Sequence, residues 1–129
     1  MNVLVTSAGK KVPLIKAIQV ATKKISHDIK VIGCDSSPLA IAKYFADDFI
    51  TLPSLDELSN ELLLTLCRDN EVDIIIPTRD GELEFFASRR SWLEENGIKM
   101  LISSPDSIKK FQDKLKFYQL CKTKNIDAI

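Results

Sequence analysis

The chain is poor in the residues that build most metal, redox and disulfide-stabilised sites. Among its 129 residues there is one histidine, His27, which lies in a polar stretch that predicts a loop. That argues against a multi-histidine metal site, a Ser-His-Asp triad or a Cys-His pair on a structured element. The three cysteines, Cys34, Cys67 and Cys121, are far apart and form no C-x-x-C pair. They favour a reducing, cytoplasmic environment over a disulfide framework.

Glycine is also scarce, with four in the whole chain, and this limits phosphate-binding loops. There is no G-x-x-x-x-G-K-[ST] motif, so a P-loop is excluded. If Gly9 is read as the middle glycine of G-x-G-x-x-G, the flanking positions hold Ser7 and Val12. Asp35 follows the second predicted strand, where an acid can bind the ribose of NAD, but the missing glycines argue against a dinucleotide site.

Neither charge nor hydropathy predicts a nucleic-acid or membrane protein. Basic and acidic side chains number 18 each, so there is no basic excess of the kind that nucleic-acid binding usually requires. No stretch approaches the roughly 18 apolar residues of a membrane span, and the N-terminus lacks the apolar region of a signal peptide. The length suits one domain with a substantial core.

Apolar segments alternate with helical patterns along the chain. We predict strands at 3–6, 29–34, 49–52, 73–77 and 98–102, each followed by a helical or apolar segment. This alternation is typical of right-handed βαβ units, and it predicts an α/β fold with a three-layer, Rossmann-like parallel sheet of about five strands. Residues 125–129 look like the start of another extended segment, which favours a domain boundary at the end of the chain.

Local signals predict where the helices begin and which faces they bury. In the first helix Pro13 lies in the first turn, and the face to be buried is Leu14, Ile18, Ala21 and Ile25. Ser54 to Glu57 reads as the capping box of the second helix, and Gly97 as the left-handed cap of the third. Ser104 and Asp113 begin the last two helices. In the final helix Leu115, Tyr118 and Cys121 are expected to face inward.

Small polar and acidic residues follow several of the predicted strands. The groups are Thr6 to Gly9, Asp35 to Ser37, Pro77 to Asp80, and Ser103 with Ser104. Because the carboxyl ends of parallel strands share one sheet edge, we expect these groups to meet at a common crevice. Each group taken singly is also ordinary turn chemistry.

Several charged residues near these turns admit two interpretations. Lys10 and Lys11 follow Gly9 and either meet a phosphate at the helix start or stay solvated. The acids Asp80, Glu82 and Glu84 alternate along a helix, so all three cannot hold one metal ion.

The order of several short motifs resembles the N-terminal (pre-ATP-grasp) domain of ATP-grasp ligases, in the group similar to the carbamoyl-phosphate synthase large chain. The motifs are the stretches at 5–12 (Val-Thr-Ser-Ala-Gly-Lys-Lys-Val), 35–40 (Asp-Ser-Ser-Pro-Leu-Ala), 76–83 (Ile-Pro-Thr-Arg-Asp-Gly-Glu-Leu), 103–105 (Ser-Ser-Pro) and 113–114 (Asp-Lys). Where the family usually has two arginines after the glycine, this chain has Lys10 and Lys11, which keep the charge but lose bidentate hydrogen bonding.

The resemblance implies that residues 1–129 form a single pre-ATP-grasp domain and that the ATP-grasp catalytic core is absent. The parent protein would use ATP and Mg²⁺, whereas this chain would hold no catalytic residue, no metal and no tightly bound cofactor. Its partners would be the remaining core, in cis or as a separate subunit, and a small carboxylate substrate. The substrate-binding residues would be Ser7, Gly9, Lys10, Lys11, Asp35, Thr78 and Asp80, and Lys114 would contact the nucleotide.

Two other classes of function stay open at the level of sequence. One is a free-standing Rossmann-like module that binds NAD or another nucleotide for regulation. The other is a partner-docking domain without a small ligand, which predicts a large exposed apolar patch. Because removing a neighbouring core exposes its interface, a homodimer formed through that surface is also expected.

Overall fold

In the computed structural model, which describes residues 1–127, five strands alternate with helices. The strands are Asn2–Val5 (β1), Val31–Asp35 (β2), Asp48–Thr51 (β3), Val72–Ile76 (β4) and Lys99–Met100 (β5). The α-helices are Val12–Lys23 (α1), Asn60–Asp69 (α2), Asp80–Glu95 (α3), Pro105–Gln112 (α4) and Lys114–Thr123 (α5), and a 3-10 helix covers Ile41–Tyr44. Residues 128 and 129 of the predicted final extended segment lie outside the described residues, and residues 125–127 form no strand.

The strands form one parallel sheet with the order β3-β2-β1-β4-β5. The central strand, β1, is buried along its whole length and pairs with β2 on one side and β4 on the other. The chain proceeds outward from β1 to β3, then crosses back to β4 on the opposite side. Open α/β sheets bind ligands outside the strand ends at such a reversal.

Each face of the sheet carries its own apolar core. One core joins the sheet to α2 and α3 and includes Leu4, Ile32, Leu63, Ile75 and Phe86. The other joins it to α1 and the 3-10 helix and includes Val3, Val5, Ile15, Val31 and Ala42. The predicted three-layer α/β architecture with about five parallel strands is therefore confirmed.

The predicted buried face of α1 is wrong by about one residue. Ile15 and Thr22 are buried, whereas Leu14, Ala21 and Ile25 are exposed. Of the predicted face only Ile18 packs against the core, where it is half-buried. One residue corresponds to about 100° of helix rotation, and both faces contain apolar residues, so periodicity alone did not separate them. Ile25 also lies beyond the end of the helix at Lys23.

The starts of the later helices were predicted with mixed success. The helix α2 begins at Asn60 with Ser59 as its cap, not at the Ser54–Glu57 capping box, which forms a turn instead. The predicted caps of the last two helices, Ser104 and Asp113, are confirmed, since each side chain accepts a backbone N–H of the following turn.

Two further local predictions had opposite outcomes. Gly97 has a φ of 83°, as a left-handed cap requires. In α5, Cys121 is buried as predicted, but Leu115 and Tyr118 are 66% and 42% exposed. The expected inward face of α5 is therefore wrong at these two positions, because nothing in the described part of the chain covers them. Among residues 1–127, no helix is long and apolar enough to cross a membrane.

Candidate functional site

A cleft of about 880 Å³ opens at the carboxyl ends of β1, β2, β3 and β4. Its polar and charged lining residues are Thr6, Ser7, Lys10, Lys11, Asp35, Ser36, Ser37, Ser54, Asp56, Arg79 and Glu82. The remaining lining residues are Gly9, Leu39, Ala40, Ile41, Leu52, Pro53, Leu55, Gly81 and Phe86. Its size and mixed lining are those of a small-molecule site.

Glu82 joins the ends of the two neighbouring strands β1 and β4. Its side chain is buried, with 2% of the residue exposed. One carboxylate oxygen accepts the Thr6 hydroxyl at 2.6 Å and the Thr78 N–H at 2.9 Å. The other oxygen accepts the Ser7 hydroxyl at 2.6 Å. Such a buried carboxylate is tolerated because several donors replace its lost hydration.

Ser7 and Arg79 take fixed positions around this carboxylate. Ser7 has a φ of 48°, an uncommon left-handed conformation for a residue other than glycine. The Arg79 backbone N–H donates to Glu82 Oε1 at 3.2 Å, and Arg79 Nε donates to Ser7 Oγ at 3.2 Å. Glu82 therefore connects the Ser7 turn to the start of α3.

Asp35 joins β2 to the β1 turn in a similar way. One of its oxygens accepts the Gly9 N–H at 2.9 Å, and the other accepts the Ser37 N–H at 3.0 Å. A Cβ atom at Gly9 would lie 2.6 Å from Asp35 Oδ2, so the close approach of these two segments requires glycine. Both carboxylates in this part of the cleft are thus engaged by the protein itself.

The basic side chains of the cleft are paired differently. Lys11 Nζ donates to the carbonyl oxygen of Thr78. Within residues 1–127, the ion pairs are Met1–Asp73, Arg90–Glu94 and Lys109–Glu84, so Lys10, Lys11 and Arg79 form none. The cleft therefore presents cations whose charge is not neutralised by a paired carboxylate of the described chain.

The structure brings five of the eight sequence-predicted site residues together in this cleft, namely Ser7, Gly9, Lys10, Lys11 and Asp35. The other three do not line it. Thr78 donates its hydroxyl to the Thr6 carbonyl, and Asp80 is an exposed residue at the first position of α3. Lys114 is exposed at the start of α5.

Sequence reasoning placed Thr6 and Arg79 in the polar groups expected at the crevice but named neither as a binding residue, and it did not assign Glu82 to the site. It did predict that the three alternating acids Asp80, Glu82 and Glu84 point in different directions. That is observed, because Glu82 is buried whereas Glu84 is exposed and pairs with Lys109. The available signal was position: Arg79 and Glu82 flank Asp80 at the end of β4, the edge where the site was expected. Burial of one acid of three was not visible in the sequence.

The cysteine thiols are not reactive groups of this cleft. All three are buried and free. Burial, followed by the negative charges of Glu82 and Asp35, raises the pKa of Cys34 far above its ordinary value. Burial raises the pKa of Cys67 to about 12. Both thiols stay protonated near neutral pH, and a thiol is a weak nucleophile and metal ligand.

The donor groups of the cleft do not suit a resident metal ion. In the described range 1–127, no group of three or more histidine, cysteine, aspartate or glutamate side chains could hold one. Since Asp35 and Glu82 already accept N–H and O–H donors, they do not fit a Mg²⁺ site, for which unengaged carboxylate oxygens are needed.

Comparisons with known structures show the same fold. The chain is similar to the biotin carboxylase domain of thermophilic 2-oxoglutarate carboxylase bound to bicarbonate, with 19% identity, a TM-score of 0.63 and coverage of 99% of this chain and 29% of that one. It is also similar to N5-carboxyaminoimidazole ribonucleotide synthetase from Thermotoga maritima, with 18% identity, a TM-score of 0.58 and coverage of 95% and 30%.

A third similar structure is glycinamide-RNase-transformylase T from Mycobacterium tuberculosis, with 15% identity, a TM-score of 0.63 and coverage of 95% of this chain and 34% of that one. The chain thus spans about a third or less of the length of these three proteins. A search of curated protein sequences finds no significant match.

A family model settles the classification more directly than these distant structures. The model described as "PylC-like, N-terminal domain" matches residues 3–101, a range that includes nearly all of the five strands and every lining residue of the candidate cleft. The chain therefore belongs to the PylC-like N-terminal domain family, a pre-ATP-grasp type of domain as its sequence motifs predicted.

Proposed function

We propose that this domain forms one wall of the acceptor-substrate site of an ATP-grasp ligase and that the acceptor binds through a carboxylate. The observation that carries the proposal is that the acids of the cleft are already hydrogen-bonded by the chain, whereas its cations have no carboxylate partner. Asp35 and Glu82 are satisfied by donors of the chain, whereas Lys10, Lys11 and Arg79 lack a carboxylate partner among residues 1–127. A bound carboxylate would provide the negative charge that these three cations do not find within residues 1–127.

Arg79 is the best-placed of these cations to bind a carboxylate. Its Nε is anchored on Ser7 Oγ, and no bond of Nη1 or Nη2 is formed within the described chain. A guanidinium fixed at one nitrogen keeps a planar pair of donors for a carboxylate. Lys10 and Lys11 then add positive charge from the β1 turn, and the substitution of lysine for arginine makes their contribution less directional.

We infer that the chemistry of the whole ligase requires parts outside residues 1–127. In our proposal the parent protein uses ATP and Mg²⁺ to activate the acceptor carboxylate as an acyl phosphate, which an amine or similar nucleophile then attacks. Residues 1–127 offer no cluster of acids for the magnesium ion. We therefore assign ATP and Mg²⁺ to an ATP-grasp core, in cis or as a separate subunit, and expect this chain alone to be inactive.

An exposed apolar surface supports a role for such a core. The surface lies on the last two helices and the segment before them, and its members are Leu101, Phe111, Leu115, Phe117 and Tyr118, each at least 40% exposed. The similar solved proteins have about two thirds or more of their length outside the part matched here. We propose that the core covers this surface, and that the isolated domain dimerises through it.

Carboxylate binding can be tested on the 129-residue chain by two-dimensional ¹⁵N NMR. Sodium acetate, titrated at constant ionic strength against sodium chloride, is expected to shift the amides of Ser7, Gly9 and Arg79. Arg79→Gln should weaken the binding about tenfold, the worth of a charge-assisted hydrogen bond. The matched control is Arg68→Gln, an exposed arginine outside the cleft. Equal weakening by both substitutions, or no acetate response, contradicts the proposed site.

Two further ligands separate this proposal from a regulatory nucleotide-binding module. Neither NAD nor ATP should bind saturably in the cleft of the 129-residue chain at sub-millimolar concentration. Saturable NAD binding that shifts the Gly9 amide would favour the regulatory module. Sustained ATP hydrolysis by the purified chain would overturn the assignment of catalysis to a separate core.

A further inference from the structure

The candidate cleft has two chemically different halves. The cations without a carboxylate partner among residues 1–127 follow β1 and β4, which are neighbours in the sheet, and they are Lys10, Lys11 and Arg79. Apolar side chains follow β2 and β3, on the side of the sheet that ends with the edge strand β3. The apolar residues of these two segments, called the apolar half below, are Leu39, Ala40, Ile41, Leu52, Pro53 and Leu55, and the same segments also place Asp35, Ser36, Ser37, Ser54 and Asp56 on the lining.

Part of the apolar half is held rigidly and part is uncovered. Leu52 and Leu55 pack against the core between the sheet and α2, so their positions are set by the fold. Leu39 and Ile41 are 83% and 56% exposed and belong to neither core cluster. Two large apolar side chains that are mostly exposed beside a ligand cleft indicate a surface that a ligand completes.

The polar groups in the same half do not offer a second strong anion site. The oxygens of Asp35 accept the N–H groups of Gly9 and Ser37, and the hydroxyl of Ser37 accepts the N–H of Leu39. Asp56 is the remaining carboxylate there, and it is exposed at the rim. A negative group at the end of the ligand away from Arg79 would be repelled by Asp56, and it would lose hydration against the leucine side chains. Both effects would weaken binding.

We infer that the acceptor is an amphipathic carboxylate, whose charged end lies against Arg79 and the two lysines and whose apolar chain lies against Leu39, Leu52 and Leu55. The inference rests on the proposed acceptor-carboxylate site and adds the chemical class of the substrate. The cleft volume of about 880 Å³ leaves ample room beyond a carboxylate group for such a chain.

A series of straight-chain carboxylates tests the inference on the 129-residue chain. Acetate, butanoate and hexanoate are titrated in turn by ¹⁵N NMR, with the dissociation constant taken from the Gly9 and Arg79 amides. Burial of a methylene in an apolar site raises affinity by up to about fourfold. Hexanoate should therefore bind at least about tenfold more tightly than acetate, and the leucine amides at 39, 52 and 55 should shift only with the longer ligands.

Two ligands of the same chain length as hexanoate test whether the end of the ligand that lies against the apolar half can carry a charge. Adipate adds a second carboxylate and 6-aminohexanoate adds an ammonium group to the hexanoate chain, and both should bind more weakly than hexanoate. Tighter binding of either one would overturn the apolar assignment, since the chain end would then be recognised by a charged group. Hexan-1-ol should bind more weakly than hexanoate, because it lacks the charge that Arg79 and the lysines recognise.

A pair of substitutions locates the effect. Leu39→Ser should lower the ratio of hexanoate affinity to acetate affinity by about three- to tenfold. The control Ile25→Ser changes an apolar side chain that is also largely exposed but lies outside both the cleft and the proposed core-binding surface, and it should keep the ratio of the unmodified chain. Equal acetate and hexanoate affinities would refute the amphipathic acceptor alone, whereas no response to any carboxylate would refute the acceptor-carboxylate site itself.

Discussion

Replacing Glu82 by alanine removes a side chain that joins the ends of β1 and β4. The carboxylate accepts four donors, the hydroxyls of Thr6 and Ser7 and the N–H groups of Thr78 and Arg79. The Arg79 N–H and the Ser7 hydroxyl can donate to water instead, because Arg79 is exposed and Ser7 is partly exposed. The Thr6 hydroxyl is buried and the Thr78 N–H is half-buried, and both are left without their best acceptor.

The size of the effect follows from these donors. An N–H or O–H left unpaired in a half-buried position costs roughly 1–3 kcal/mol, and Thr6 retains a long contact of 3.5 Å from its hydroxyl to the Ile76 carbonyl oxygen. Removing a buried charge also relieves its desolvation cost, which offsets part of the loss. We expect Glu82→Ala to lower the free energy of unfolding by about 3 kcal/mol, a large part of the roughly 5–15 kcal/mol typical of a domain.

Urea unfolding followed by the fluorescence of the single tryptophan measures this change. That residue, Trp92, belongs to α3, and its side chain packs against the core between α3 and the sheet. The control is Glu84→Ala, which removes an exposed acid from the same helix and should change the free energy of unfolding by less than about 0.5 kcal/mol. Glu82→Gln keeps the shape and one acceptor oxygen, so about 1 kcal/mol is expected.

The same three proteins are then titrated with acetate. Glu82→Ala should weaken acetate binding even where the protein stays folded, because Ser7 loses the bond that orients it and Arg79 is anchored on Ser7. If Glu82→Ala and Glu84→Ala have the same stability and the same acetate affinity, the role assigned to Glu82 is refuted.

Two further predictions concern the buried thiols and the glycine of the β1 turn. The native pKa of Cys67 is raised to about 12 and that of Cys34 is also raised, so their contribution to stability is complete below the unfolded-state value of about 8.5 and is lost as pH rises above it. Urea titrations at pH 8 and 9.5 should show a loss of about 1.3 kcal/mol per thiol, and a Cys67→Ala variant should show a smaller loss than the unmodified chain. Gly9→Ala should destabilise the protein by about 1–3 kcal/mol and weaken acetate binding, since the new Cβ would lie 2.6 Å from Asp35 Oδ2. Gly97→Ala, at a φ of 83° with no atom within 4 Å of the new Cβ, should cost about 1 kcal/mol in urea titration and leave acetate binding intact, and the reverse pattern would contradict the account of the turn.

The sequence predicted the sheet well because its information is local. The strands β1, β2 and β4 are short, mostly apolar runs, and strand-helix alternation permits few arrangements other than a parallel sheet. The caps at Ser104 and Asp113 were predictable for the same reason, since a cap depends on a side chain and the backbone N–H groups two or three residues later.

The errors occurred where two local patterns competed and packing decided between them. The α1 sequence carries apolar residues on two faces, and contact with the sheet selected Ile15 over Leu14. Ser54 and Ser59 both offer a helix cap, and the burial of Leu58 between them accompanies a turn there and a helix start at Asn60. Propensity does not rank such alternatives, because their free energies differ by less than one buried side chain contributes.

By itself, the sequence determined the fold class, the edge of the sheet at which the candidate cleft opens, and the turn residues Ser7, Gly9 and Asp35 that line this cleft. Only the tertiary structure decided which charges of that site are available. Asp35 looks like a ligand-binding acid in the sequence, and Glu82 was not assigned to the site. In the fold, chain segments up to 76 residues apart meet at these two carboxylates and donate hydrogen bonds to their oxygens. The Nη1 and Nη2 groups of Arg79 form no hydrogen bond within residues 1–127, because the nearby acids already accept hydrogen bonds from other groups of the chain. The sequence shows which residues are charged. Which of them interact depends on the distances between their side chains, and only the folded structure sets those distances.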